Sequence, residues 1–376
     1  MTRLTHELRA ALRNGDAVIR LHANLAPAAG AKILPPTYAK DGAKGGMHNL
    51  TQPRADGSSE WVSVDSPASF ANRVEAELHA AYPELAPLRV QIGDTLLSTL
   101  QMPHRVFDAT LRESTWDGIP WKDTAIADEI SAATPDHAYA LLNYDPAVIL
   151  FGGWDSTRLG KRAQATREAK YPAALSGEIT ATDVLPIHRA GSRIDPLGIE
   201  GKEASLVEHE DGRLEPYEAT AHAALPIRGQ QDTGTYPRRV KPAQVNLGNF
   251  PPSLAPKGVL VRGAIAFDGV LDLRRLNRYR FAPADDIEAR LLLALMGLFG
   301  VEAVLRRGLD LRRDCELVAT QATVTLARFG TEPERLNMDG VAVALTDQIA
   351  ALREHLAQPI TLSANAALRS LAGAVG

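Results

Sequence analysis

Cys315 is the only cysteine among 376 residues, which excludes intrachain disulfides and any cysteine-based metal site. No apolar run approaches the roughly 20 residues that span a bilayer; the longest candidate is Leu291 to Val301. The N-terminus, M-T-R-L-T-H-E-L, lacks the apolar core of a signal peptide, so a cytoplasmic protein without membrane contact is expected. A large excess of one charge is missing too: the formal net charge is −4. That excludes a generic binder of nucleic acid through a basic tail. Any bound polyanion must meet cations gathered on one surface and balanced by acids elsewhere.

The common catalytic signatures are also absent. There is no G-x-x-x-x-G-K-[ST], no G-x-G-x-x-G after a strand, no H-E-x-x-H and no G-x-S-x-G. Ten histidines are scattered without metal-ligand spacing. His209, inside E-H-E-D (Glu208 to Asp211), reads as part of a solvated turn. Asp41 and Asp56 could activate a hydroxyl, but nothing places a partner beside either. No cofactor, no metal and no catalytic residue are expected. Internal repeats and low-complexity tracts are missing as well.

What is present centres on Ala147 to Val184. Ala147 to Phe151 is a short apolar run that predicts a buried strand. Gly152 and Gly153 break it, and Trp154, Asp155, Ser156 and Thr157 follow directly. Arg158, Lys161, Arg162, Arg167 and Lys170 then stand against only Asp155 and Glu168. Hydroxyls and backbone N–H groups position phosphates, cations neutralise them, and an indole can stack on a base. A solvated loop on an ordinary α/β domain accounts for the same composition. Trp154 fits either a stacking wedge or a core position beside a strand, and Asp155 fits a turn cap.

Elsewhere, Asp16 to Leu25 alternates: Ile19, Leu21, Ala23 and Leu25 share one face, Arg20, His22 and Asn24 the other. That is a half-buried strand whose polar face meets water or holds a polar ligand. Residues 26–64 predict a long glycine- and proline-rich loop bearing Lys32, Lys40, Lys44 and Arg54. A helix then begins at Ser66 and Pro67, with Phe70, Val74 and Leu78 in line. Asn72 and Arg73 on it are either an exposed face or anion contacts. Leu85 to Leu100 is ambiguous, 103–122 predicts a projecting hairpin, and 123–135 a short helix and loop. Leu175 to Ile187 predicts a strand broken at Pro186. The stretch 188–256 predicts an irregular insertion with a basic run containing Arg238 and Arg239. A strand at Val259 to Phe267 follows, then a core helix over Ile287 to Arg307 started by Asp285 and Asp286. Strand character returns at Leu317 to Ala327, and an amphipathic helix runs from Val341 to Leu356. The order of strong elements suits an α+β fold: a ferredoxin-like (RRM-type) core, one domain over 1–376 with large insertions.

Several strings, in order, resemble a known family: S-F-A-N-R-V-E (Ser69 to Glu75), F-G-G-W-D-S-T (Phe151 to Thr157), L-S-G-E-I (Leu175 to Ile179) and G-S-R-I-D-P-L-G (Gly191 to Gly198). The chain is similar in them to the RAMP-type, hand-shaped backbone subunit of Cascade, the CRISPR effector complex, in its subtype I-G (formerly I-U). The resemblance implies an RRM-type palm with finger-like and thumb-like insertions. It implies a non-catalytic subunit that polymerises as a helical filament along a CRISPR guide RNA. That RNA is presented to target DNA in antiviral defence, beside further copies of the chain and other Cascade subunits. RNA contacts are then expected at Asn72, Arg73, Trp154, Ser156, Thr157, Arg158, Lys161, Arg162 and Arg193, with Lys32, Lys40, Lys44, Arg238 and Arg239 behind them. The alternative is a metal-dependent, RNA-cleaving RAMP subunit as in Type III complexes, using an aspartate of the 26–64 loop.

Overall fold

Six elements follow one another: β1 (Val18–Pro27), α1 (Pro67–Ala81), β2 (Leu175–Pro186), β3 (Ile265–Asp272), α2 (Asp286–Arg307) and β4 (Cys315–Ala327). In the computed structural model, which describes residues 2–39, 46–155, 169–193, 195–199, 205–229, 234–248, 250–255, 257–328 and 330–373, the four strands lie in the order β2-β3-β1-β4. Every neighbouring pair is antiparallel. This is the β-α-β-β-α-β arrangement of a ferredoxin-like core, carrying large insertions. Short strands extend it at Lys32–Ile33, Ser59–Asp65, Val259–Val261, Leu309–Arg312 and Glu334–Arg335.

The alternation in β1 does what its period requires. Ile19, Leu21, Ala23 and Leu25 are buried, while Arg20 and Asn24 face out. α1 starts where its cap signals lie: Ser66 Oγ accepts from the Ser69 N–H, Pro67 occupies the first turn, and Phe70, Val74 and Leu78 are buried. Asp285 caps α2 by accepting from the N–H groups of Ile287 and Glu288. α2 is apolar nearly all round because it lies in the core, with Leu291 to Leu298 buried without a break. A Cβ on Gly300 would stand 2.3 Å from Val74 Cγ1. Glycine there costs roughly 1 kcal/mol of helix propensity and lets α1 and α2 close.

Two expectations need correction. Ala147–Phe151 is a short, fully buried helix, not a strand. A brief apolar run cannot distinguish the two, and the turn begins when the Val148 N–H reaches the Asp145 carbonyl. Residues 26–64 are not one loop: they hold strands at Lys32–Ile33, Tyr38–Ala39, Gly46–Met47 and Ser59–Asp65. The last of these pairs with β2, a partner remote in sequence. The stretch 103–122 does contain a hairpin, Ser114–Trp116 with Ile119–Pro120. It ends a five-stranded sheet with Thr95–Ser98, Leu88–Ile92 and Ile360–Ala364; Val106, Leu111 and Trp121 beside it are buried, and its turn, Asp117 to Pro120, is exposed. The chain divides into two compact units, Met1–Leu185 with Val259–Gly376, and Pro186–Gly258. The expected insertion 188–256 is thus a body of its own. It is built from a two-stranded pair (Arg189–Arg193, Phe250–Ala255) and a three-stranded sheet (Leu206–Glu208, Leu214–Pro216, Arg238–Val240). No helix among the described residues is long and apolar enough to cross a membrane.

Candidate nucleic-acid interface

The glycine pair opens a hairpin. Gly153–Asp155 and Ala169–Tyr171 pair antiparallel, with Trp154 opposite Lys170. The Lys170 ammonium lies 5.1 Å from the indole centroid, and Trp154 is 51% exposed, so this tryptophan is a surface residue rather than core. The root of the hairpin is tightly packed. Gly152 sits at φ 87°, and a Cβ there would meet the Tyr171 carbonyl oxygen at 3.0 Å and the Ala173 nitrogen at 3.1 Å. The Tyr171 ring stacks on Phe107 at 5.6 Å, and its hydroxyl donates to the Ala133 carbonyl.

Beneath that root lies a buried charge cluster. Arg105 donates from Nε to Glu75 at 2.6 Å and from Nη1 to the Gly152 carbonyl at 2.9 Å, with its guanidinium 5.4 Å from the Phe151 ring centroid. Asp145 is fully buried; Oδ2 accepts from the Val106 N–H, the Ala147 N–H also favours the charged carboxylate, and Oδ1 has no close hydrogen-bond partner among the described residues. Burial pushes its carboxyl up to about 7, against the pull of Arg105. Burial also raises Glu75, again opposed by Arg105. One cation therefore serves two desolvated acids, and it fixes the strand that leads into the basic segment.

Of the predicted contacts, Ser156, Thr157, Arg158, Lys161, Arg162, Lys40 and Lys44 lie outside the described residues, as does the Arg193 side chain. Asn72 and Lys32 are exposed. Arg73 is engaged elsewhere: it pairs at 3.0 Å with Asp65, itself 1% exposed, and donates to the carbonyls of Asp310 and Leu311. In the second unit, Arg238 is 7% exposed, bonded to Glu208 at 2.8 Å and packed 4.2 Å from the Tyr236 ring centroid. Arg239 lies 4.1 Å from the Tyr217 ring centroid. Arg73 and Arg238 thus each hold an ion pair within the fold, with Asp65 and Glu208.

The open face of the main sheet is polar. Register places Glu178, Asp268, His22 and Thr323 in one row, and Thr180, Ala266, Asn24 and Gln321 in the next. His22 Nδ1 lies 2.7 Å from Asp268, and that hydrogen bond raises the histidine pKa. Two carboxylates, with the one ring, His22, bonded to Asp268, make a poor platform for bases or phosphates.

The recognised strings prove to be mainly packing. Phe70 stacks on Phe267 at 4.3 Å, and a Cβ on Gly177 would strike Phe267 Cε2 at 2.5 Å. In G-S-R-I-D-P-L-G, Asp195 accepts from the N–H groups of Leu197 and Ile199, closing the turn. Arg105 and Asp145 carried no sequence signal, whereas the glycine pair beside them did.

One protein family has a model that matches residues 19–186; it is described as CRISPR-associated protein GSU0053. No curated protein matches the chain. The matched span runs from β1 through α1 to the end of β2 and includes the clamped hairpin, and it is through these residues that the chain is similar to CRISPR-associated proteins.

Proposed function

We propose that the chain is a non-catalytic, guide-RNA-binding backbone subunit of a Type I CRISPR effector complex, of the Cascade kind and subtype I-G. Several copies follow one guide RNA in the cytoplasm, beside other subunits, and present it to target DNA. The observation that carries this reading is the hairpin anchored through Gly152. It brackets residues 156–168, which hold Arg158, Lys161, Arg162 and Arg167 against Glu168 alone, and it lies within the span similar to CRISPR-associated proteins. A firmly rooted basic segment with an exposed indole beside it suits backbone contact and stacking, without base-edge readout. The acids on the open sheet face argue that RNA is not held there. Sequence choice by base pairing needs no specificity pocket, and head-to-tail copies that do not close form a filament.

The cleaving alternative gains nothing from Asp56. Hydrogen bonds from the Ser58 hydroxyl and N–H, with Arg262 beside them, hold its carboxyl down at about 2, which makes it a weak base. Asp41 lies outside the described residues. The test is co-expression with the neighbouring genes and a CRISPR array, followed by isolation and sequencing of bound nucleic acid. Guide-length RNA in a large particle holding many copies of the chain is expected. An RNA-free monomer under the same conditions overturns the reading.

A further inference from the structure

The outer edge of β4 is paired only at its two ends. Leu309–Arg312 pairs with Cys315 to Leu317, and Glu334–Arg335 pairs with Thr325 and Leu326. Between them, among the described residues, Val318 to Val324 has no strand on that side. The direction of its backbone groups follows from one bond: the Leu336 N–H donates to the Val324 carbonyl, so Val324 turns its N–H and C=O outward. In an antiparallel strand the residue two positions away turns the same way. Ala322 therefore also points both groups outward, away from β1.

A cavity of about 770 Å³ lies along this edge, with Leu298, Val301 and Leu305 of α2 among its walls. Ala322 and Val324 share the buried face of the sheet, opposite Ala23 and Leu21 of β1, yet Ala322 is exposed and Val324 half-buried. An apolar groove thus runs beside an unpaired strand edge. The charged side chains of its lining are Arg3, Arg306 and Arg335 against Glu302 and Asp339; Arg306 is paired with Glu302 and Arg3 with Glu7, which leaves Arg335 as an exposed cation without a side-chain partner among the described residues.

We propose that this edge docks an extended segment of another protein, added to the sheet as a strand. The main-chain groups of Ala322 and Val324 would hold it. Every second side chain is apolar and enters the groove over Leu298, Val301 and Leu305. Acidic side chains alternate with these and pass Arg335, whose unpaired charge selects them. The gap is closed at both ends by existing strands, so the added strand is short. The surface is separate from the basic hairpin and does not depend on the RNA-binding proposal.

The test uses the full chain without RNA and a labelled short peptide alternating valine with glutamate. Saturable binding by fluorescence anisotropy is expected, with slowed hydrogen exchange at the Ala322 and Val324 amides. Ala322→Pro removes one outward N–H, a change edge strands tolerate, and should weaken binding by about tenfold or more. Arg335→Glu leaves the edge intact and should abolish the preference over a valine–lysine peptide, which keeps the test sound if the proline variant folds badly. The proposal fails if no saturable binding occurs, if the lysine peptide binds wild type equally, or if an oligouridine displaces the peptide. Concentration-dependent dimers lost in Ala322→Pro would also overturn it, assigning the edge to a second copy of the chain.

Discussion

Arg105 donates to the carbonyl of Gly152 at 2.9 Å from a backbone held at φ 53°. Such a conformation is uncommon for a side-chain-bearing residue and persists only where its surroundings hold it. Here they do so three times, through Glu75, Gly152 and the Phe151 ring. Glu75 belongs to one of the recognised strings and Gly152 to another, so Arg105 is the physical link between two motifs that the sequence shows only as separate.

Arg105→Ala leaves Glu75 buried at 3% exposure without its cation. A loss of about 3–5 kcal/mol is expected in urea unfolding, the usual cost of breaking a buried pair. Limited proteolysis should also cut faster in residues 156–168 under native conditions. Wild-type stability together with wild-type cleavage would remove Arg105 from its role as clamp.

Asp145 gives the cluster a pH dependence of definite sign. Its folded carboxyl titrates near 7, against about 3.9 when unfolded. Between about pH 4 and 7 the folded protein therefore holds the extra proton, and stability falls as pH rises through that window. The raised Glu75 pulls in the same direction, and Arg105 opposes both. Urea midpoints measured at pH 5 and pH 7.5 should differ less in Asp145→Asn than in wild type. Equal differences in the two proteins would mean the slope arises elsewhere.

Arg73 and Arg158 separate by readout. Arg73→Met strands Asp65, whose remaining cation, Arg312, is 3.8 Å away, and should cost about 3 kcal/mol of stability. Its RNA affinity, corrected for folded fraction, stays as in wild type. Arg158→Glu combined with Arg162→Glu should keep stability within about 0.5 kcal/mol. RNA affinity then falls, and the salt slope shrinks by about one unit per lost phosphate contact. Reversal of the two patterns would return Arg73 to the interface.

Gly177→Ala tests the packing role of the strings. The new Cβ meets Phe267 at 2.5 and 2.8 Å, and the stack with Phe70 leaves the ring no easy retreat. About 1–3 kcal/mol should be lost, as for other overpacked cores. A neutral thermal melt would show that the ring can move.

How far the sequence reveals this structure depends on the range of the forces. β1, α1 and α2 were legible because period and caps are local: Ile19 to Leu25, Ser66 with Pro67, and Asp285 each act within a few residues. The N-terminal helix Arg3–Asn14 carried equal signals in its Thr2 cap, its Leu4, Leu8 and Leu12 spacing and Gly15 beyond its end. Ser59–Asp65 was hidden because its partner in β2 is more than a hundred residues away. Ala147–Phe151 misled because five buried apolar residues carry no period. At the candidate site, Gly152, Gly153 and Trp154 were visible as a break in pattern. Arg105 and Asp145 were not, since a lone arginine and a lone aspartate acquire meaning only when the chain brings them together. Arg73 and Arg238 have partners that the sequence did not announce, Asp65 and Glu208.

Trp154 bears most directly on what the hairpin does. Its indole is half exposed, and its described contacts include the Lys170 ammonium at 5.1 Å. An exposed cation–π contact contributes only about 0.5–1 kcal/mol, so Trp154→Ala should leave stability within about 1 kcal/mol of wild type. A base stacked on the ring contributes more, about 1–3 kcal/mol of RNA affinity. Oligouridine titrations at fixed salt should therefore show weaker binding for Trp154→Ala, partial recovery for Trp154→Phe, and an unchanged salt slope, because no phosphate contact is lost. If Trp154→Ala instead binds RNA as tightly as wild type, the indole only covers the Lys170 stem, and stacking must be sought elsewhere on the chain.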